Sequence, residues 1–475
     1  MREMRRTTTT FAQKLVLSWV LVVLAFLSVG LAQERRAIRW PDLPPELQRG
    51  LAAKQLTAQN FDAFIKAINQ QTALRESNGE FDHLIHYALQ SQQFTSLPKI
   101  EPALSAYEFV QGLAPEERTK YLTTEAYFPS QITLPKAVAA RLKAFLKRLA
   151  QAPNDERMIY FKRFLAPTRA AAPERLPHEY ARAMKFLYRK EFLTQNFKTP
   201  PEAAAYVASL YQERGHSTDT QIEANYALSQ ALATIKAMAP ATRLHRILIV
   251  GPGLDFAPRT DLLDAFGPQC YQPFAIADAL LALQLTQISN LQIHCVDIND
   301  RVIEYLREFP RRKNKTLTLL SGLAHDQNHQ LTNEYQAYFQ GFGKFIGIEQ
   351  PWSSHNLLPN HMRKSLQIDP AIAAKLSVDQ LNIIAQRYAS APGYDLVIVT
   401  NVFPYFDETQ LALALSNIAA MMKPGAFLLH NEPRPLPAQA VSLPLQQART
   451  ILLGKGPQGE FFDGVAIHQK CLGKC

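Results

Sequence analysis

Three groups of residues at the ends of apolar runs have the types and spacing to hold a small molecule. The first is Gly251-Pro252-Gly253, directly after the apolar residues 247–250. Glycine has no side chain to keep a ligand from the backbone, so such a turn admits close approach. The second is Asp297-Ile298, at the end of residues 291–297. A carboxylate accepts two hydrogen bonds at once and suits the two hydroxyls of a ribose. The third is the stretch 401–407, where Asn401 and Tyr405 follow the apolar run 394–400. His430 and Glu432, at the end of the run 426–430, supply groups that can take a proton if the acceptor lies within hydrogen-bond reach.

These residues need a scaffold that brings them to one edge. Residues 247–250, 291–297, 316–320, 394–400 and 426–430 read as five strands. Helical patterns at 274–285 and 409–422 lie between them. Strands alternating with helices imply an α/β fold with a doubly wound, mostly parallel, Rossmann-like sheet. Ligands of such sheets sit beyond the carboxyl ends of the strands. A dinucleotide fingerprint would want a third glycine at Phe256 and an acid about 20 residues on. Neither is present, and Asp297 lies 44 residues beyond Gly253. No Gly-Lys-Ser/Thr phosphate loop follows the turn either.

The order VGPG, VDIN, YDLVIVTNVFPYFDE and MMKPGAFLLHNE resembles the class I S-adenosylmethionine-dependent methyltransferases. The third of these blocks is similar to the chemotaxis-receptor glutamate methyltransferases, as is, more loosely, the segment 271–277. The resemblance covers residues 243–432. It implies S-adenosylmethionine as cofactor and methyl transfer to oxygen or nitrogen of an unknown acceptor. Gly251, Gly253, Asp255, Asp297, Ile298 and Asn401 would then contact the cofactor. Tyr405 and Glu432 would orient the acceptor, with Trp352, His355 and His430 on the substrate side; His361 is a further substrate-side candidate. Two residues depart from the family pattern. Ile249 stands where an acid usually precedes the glycine loop, and Asp255 replaces the third glycine. Asp255 either supplies the missing carboxylate, or the chain is a non-catalytic protein that keeps the fold as a binding or scaffold module.

The rest of the chain divides by composition. Residues 1–32 have a basic start (Arg2, Arg5, Arg6, Lys14), an apolar run 15–31, and small residues at Gly30 and Ala32. This reads as a signal peptide, with an uncleaved membrane anchor as the alternative. Export to the periplasm or medium, or anchoring, conflicts with a cofactor supplied in the cytoplasm. Membrane contact is expected only through residues 15–31, if they are left uncleaved. Residues 33–50 form a linker. Residues 51–239 are expected to be a helical N-terminal region, with stripes such as Phe61, Phe64, Ile65, Ile68 and Phe81, Leu84, Ile85, Leu89. It serves as a packing domain or, alternatively, binds substrate. The polar segment 214–220 either caps the next helix through Ser217 or Asp219, or borders the cofactor mouth. Residues 240–475 are the methyltransferase-like domain, with an aromatic insertion at 324–392 between the third and fourth strands that acts as a lid or packs on the sheet. Residues 376–388 within it read as a helix, and 461–469 as part of a terminal hairpin.

Composition bounds the partners. The chain has 475 residues, 47% of them hydrophobic, and a net charge of +10. That is enough apolar content for globular cores. No arginine-rich tail or zinc-finger spacing is present, so no nucleic acid is expected as a partner. No metal site is expected, since His325 and His329 stand in a polar stretch. The four cysteines Cys270, Cys295, Cys471 and Cys475 are compatible with two disulfides, although Cys295 falls in a buried strand.

Overall fold

The computed structural model describes residues 35–151, 156–167, 172–255, 267–352, 360–389, 393–437, 442–457 and 459–473. The leader expected at residues 1–32, His355 and Cys475 lie outside the described residues. Among the described residues no helix is long and apolar enough to cross a membrane. Cys270 and Cys295 are buried free thiols.

The elements that frame the site are, in chain order, α1 (Phe61–Gln90), α2 (Pro200–Glu213), α3 (Ala224–Met238), β1 (Arg246–Val250), α4 (Gln272–Ala282), β2 (Gln292–Asp297) and α5 (Asp300–Glu308). Then come β3 (Thr316–Ala324), α6 (Asn333–Gly341), β4 (Gly347–Gln350), β5 (His361–Ile368), β6 (Leu376–Gln380) and β7 (Tyr394–Val399). The chain closes with α7 (Glu408–Met421), β8 (Met422–His430), β9 (Leu445–Gly456) and β10 (Gly459–Gln469). The central sheet runs β9-β10-β8-β7-β1-β2-β6, and the short strand Gln330–Leu331 extends it beyond β9. Strands β8, β7, β1, β2 and β6 are mutually parallel, while β10 is antiparallel to both β8 and β9. This is the expected α/β, Rossmann-like sheet behind a helical N-terminal region. The terminal hairpin is present and long. The order reverses between β1 and β7, so the switch point lies beside Gly251.

One expected strand is misplaced. Residues 316–320 do form a strand, β3, but it pairs antiparallel with β5 in a separate three-stranded sheet with β4. The third parallel strand is β6, within the stretch read as a helix. Leu381, Ile384 and Tyr388 are spaced like a helical stripe, yet they lie in the turn and strand that follow β6. The insertion therefore falls before the third parallel strand, not after it. Of its aromatic residues Tyr335, Phe339 and Phe342 are buried, whereas Phe345 is exposed.

Strand alternation divides the core in two. Ile247, Ile249, Leu396 and Ile398 face one apolar cluster; Leu248, Val250, Val397 and Val399 face the other. Helix α1 belongs to both. Phe61, Ile65 and Ile68 sit in the second cluster, whereas Phe81, Leu84, Ile85 and Leu89 sit in the first. Its 30 residues, about 45 Å at helical rise, carry it from one face of the sheet to the other. The two apolar stripes seen in the sequence are thus one helix. The polar stretch between them is where it crosses the strand ends.

The crossing is fixed by backbone contact. A Cβ on Gly79 would lie 1.7 Å from the carbonyl oxygen of His216, and one on Gly215 would lie 2.2 Å from the Gly79 nitrogen. The His216 amide donates to the Arg75 carbonyl at 2.8 Å. Gly79→Ala would gain helix propensity on a free helix, but here it must push α1 and the 215–216 segment apart. We expect a loss of about 1–3 kcal/mol, read as a lower urea midpoint; an unchanged or raised midpoint would refute the contact.

Candidate functional site

A cleft opens where α1 crosses the carboxyl ends of β1, β2 and β7. Gly251 and Gly253 form its floor. Both have positive φ, 67° and 68°, which disfavours any side chain. Both are also hemmed in: a Cβ would lie 2.5 Å from Val402 at Gly251 and 2.7 Å from the Thr218 carbonyl at Gly253.

Asp297 ends β2 and is buried. Its carboxylate accepts from the Asn299 amide at 2.9 Å. Burial pushes its pKa up to about 6, while the amides of Asn299, Gly253 and Ile298 pull the other way. The acid is therefore tied to the glycine turn as well as to its own strand. Beside it, Leu381, Ile383 and Ile384 give the cleft an apolar wall after β6. Asn382 fastens that wall to α1, donating to Asn69 at 2.9 Å and Thr72 at 3.2 Å.

The opposite wall is the segment after α2. His83, on α1, meets the Ser217 hydroxyl at 2.9 Å and the Thr218 hydroxyl at 3.3 Å. Arg75 donates to the carbonyls of Arg214, Tyr211 and Tyr405, each at 2.9 Å. Neither Ser217 nor Asp219 caps α3; the segment borders the cleft instead, and Leu254, just after the glycine turn, donates to the Thr218 carbonyl and accepts from the Thr220 amide. His216 stands edge-on to Tyr405, with ring centroids 5.3 Å apart. Both its ring nitrogens are closed to solvent and have no hydrogen-bond partner among the described residues. Burial, then the charges of Arg75 and Arg214, hold it well below the usual histidine range, so it is neutral.

Of the residues singled out by sequence, Gly251, Gly253, Asp297, Ile298, Asn401 and Tyr405 come together around this cleft. Asn401 takes positive φ (57°), and its Oδ1 accepts from the Asn431 amide at 2.7 Å. The Tyr405 hydroxyl accepts from the Ser217 amide at 3.3 Å, and burial keeps it protonated. The other expectations need correction. Asp255 turns to the Tyr271 hydroxyl, at 3.0 Å, and does not line the cleft. Glu432 is bound by Arg434 at 2.8 Å. His430 shares the sheet face of Leu428 and stacks on His468, with centroids 4.9 Å apart. Alternation along β8 thus turns it into a core instead of the mouth. Trp352 lies beyond β4, against Arg363, and His361 binds the Ser321 carbonyl at 2.9 Å.

Sequence reasoning missed Thr72 and Glu76, which enter the cleft from α1, and the wall at 381–384. The signal that could have found the former is the polar interruption between two apolar stripes that lie on opposite sides of one continuous helix. Three carboxylates, those of Glu76, Asp219 and Asp297, line the cleft, and no lysine or arginine does among the described residues.

No protein-family model and no curated protein matches the chain. Solved structures similar to it include the N-methyltransferase NodS from Bradyrhizobium japonicum WM9 in complex with S-adenosyl-L-homocysteine. It is 12% identical, with 51% of this chain and 85% of that chain covered, at a TM-score of 0.25. TrmN from Thermus thermophilus is 12% identical over 57% of this chain and 68% of its own, also at 0.25. The glycopeptide N-methyltransferase MtfA, complexed with S-adenosyl-L-methionine, is 10% identical over 53% and 69%, at 0.21. None of these three is a chemotaxis-receptor methyltransferase. The strand order, not these overlaps, defines the fold.

Proposed function

We propose that this chain is an S-adenosylmethionine-dependent methyltransferase acting on oxygen or nitrogen of its acceptor. The observation that carries the reading is the charge of the cleft: three carboxylates and, among the described lining residues, no lysine or arginine. Phosphate-bearing cofactors need cations or open amide cradles, and this cleft is built against them. A sulfonium that carries a net positive charge suits it. The shape agrees: a carboxylate for a ribose diol at Asp297, an apolar wall for a flat base at Leu381, Ile383 and Ile384, and a floor free of side chains at Gly251 and Gly253.

The bound cofactor would supply an activated methyl group, which leaves its sulfur in an in-line displacement. The protein's part is to position the reactants and keep water out. Helix α1, crossing above the strand ends, shields the cleft. Asn401 and Tyr405 stand at the end of β7, next to Val402, where an acceptor would approach. No nucleophilic side chain is required.

The rival reading, a non-catalytic module that keeps the fold, draws on Ile249, which is buried in β1 and leaves the first strand without an acid. Calorimetric titration of the full chain with S-adenosylmethionine and S-adenosylhomocysteine separates the two. We expect micromolar binding; a folded chain that binds neither belongs to the rival reading. In Asp297→Ala we expect a roughly ten- to hundredfold loss of affinity, the scale of hydrogen bonds to a charged acceptor, with the fold retained at a lowered thermal midpoint, since the amides of Asn299, Gly253 and Ile298 lose their acceptor. Unchanged affinity would remove Asp297 from the ribose contact.

A further inference from the structure

One charged group in the cleft is left without a task. Glu76 lies on the turn of α1 that crosses the strand ends and lines the cleft, yet it makes no hydrogen bond or ion pair among the described residues. Glu80, one turn further along, is fully engaged: by the Tyr160 hydroxyl at 2.8 Å, by the Asn299 amide at 2.7 Å, and by Arg301. The charged groups acting on Glu76 are Asp297 and Asp300, which repel it, and Arg301, which attracts it. Asp219, the neutral His216 and the protonated Tyr405 complete the titratable lining of the cleft, and the buried, protonated Tyr160 also senses Glu76. Holding an unpaired carboxylate among such neighbours, half out of water, costs free energy. A positively charged ligand would return it.

We propose that Glu76 is the residue by which this cleft tells a sulfonium from a thioether. The inference rests on the methyl-donor reading above. Donor and product share adenine, ribose, ammonium and carboxylate. They differ only in the methyl group and in the positive charge on sulfur. That sulfur is bonded to the ribose whose diol is assigned to Asp297, and Asp297 is one of the groups that Glu76 senses. Within a cleft of low dielectric a carboxylate acts over several ångströms far more strongly than in water. When the methyl group leaves, sulfur keeps the electron pair of the broken bond and becomes neutral. The attraction to Glu76 ends at that moment, which favours release of the product.

The sign of the pH dependence follows from the free protein. Burial, then repulsion from Asp300 and Asp297, raises Glu76 to about 7, so its charge grows between about pH 6 and about pH 8. Asp297, at about 6, titrates in the same direction, but its hydrogen bonds serve both ligands alike. The ratio of the two dissociation constants cancels those hydrogen bonds, and its difference between wild type and Glu76→Gln separates the charge of Glu76 from that of Asp297.

The test is calorimetric titration of the full chain with S-adenosylmethionine and with S-adenosylhomocysteine, at about pH 6 and about pH 8. Wild-type preference for the sulfonium should grow about five- to tenfold over that interval, the change in the ionised fraction of one group. Glu76→Gln should weaken the sulfonium about tenfold at the higher pH, change the thioether less than about twofold, and reduce the pH trend in the ratio to the part that Asp297 contributes. Glu76→Asp, which keeps the charge, should keep the preference, so a folding defect is not mistaken for a lost charge. Equal weakening of both ligands in Glu76→Gln, or no weakening, would overturn the assignment. A folded wild-type chain that binds neither ligand would instead overturn the methyl-donor reading, and this inference with it.

Discussion

The structure depends on one close approach: the backbone of α1 at Gly79 lies against the backbone at Gly215 and His216, with no room for a side chain on either glycine. Around it the polar groups are arranged to suit. Arg75 spans three carbonyls from α2, from the segment after it and from the 403–405 turn. His83 holds two hydroxyls of the same segment. Because the Thr218 carbonyl in turn accepts from the Leu254 amide and the Thr220 amide donates back to Leu254, the glycine turn is positioned from above by a helix that begins more than 160 residues earlier in the chain. The cleft is therefore not a property of the sheet alone. It is made by clamping a helix across the sheet's carboxyl edge.

That arrangement separates charge. The chain as a whole carries a net charge of +10, whereas the cleft collects acids from α1, from the 214–220 segment and from β2. Nearby cations are bound elsewhere: Arg75 to carbonyls, Arg214 to Asp82 and Arg434 to Glu432. Their charge is used to build the walls, and what remains inside is negative. A fold shared by many ligand types is thus narrowed by its side chains towards cationic ligands.

The α/β class, the two binding strands and the glycine turn were legible because each is local. An apolar run of four residues closed by Gly-Pro-Gly, or a run ended by Asp297, carries its meaning within a short window. The terminal hairpin was legible for the same reason. What failed was non-local. Whether 316–320 or 376–380 joins the main sheet depends on pairing with β2, which no short window reports. His430 and Glu432 were placed in the mouth by extending a strand whose alternation turns them to a core and to Arg434. Glu76 was missed because the two stripes of α1 look like two helices when read separately. A helix that changes cores must be polar where it passes between them, so the apparent break marked the site.

The passage of α1 between cores also bears on how the chain is made. Phe61 and Ile65 share a core with Val399, which is synthesised more than 300 residues later. At ordinary rates of elongation that interval is roughly 15 to 65 seconds. Over that time the first half of the helix has no sheet to lie on, because β7, between β1 and β8, is not yet made. The nascent chain must keep that apolar stripe in temporary company until its centre arrives, so the final structure forms only after most of the protein has left the ribosome.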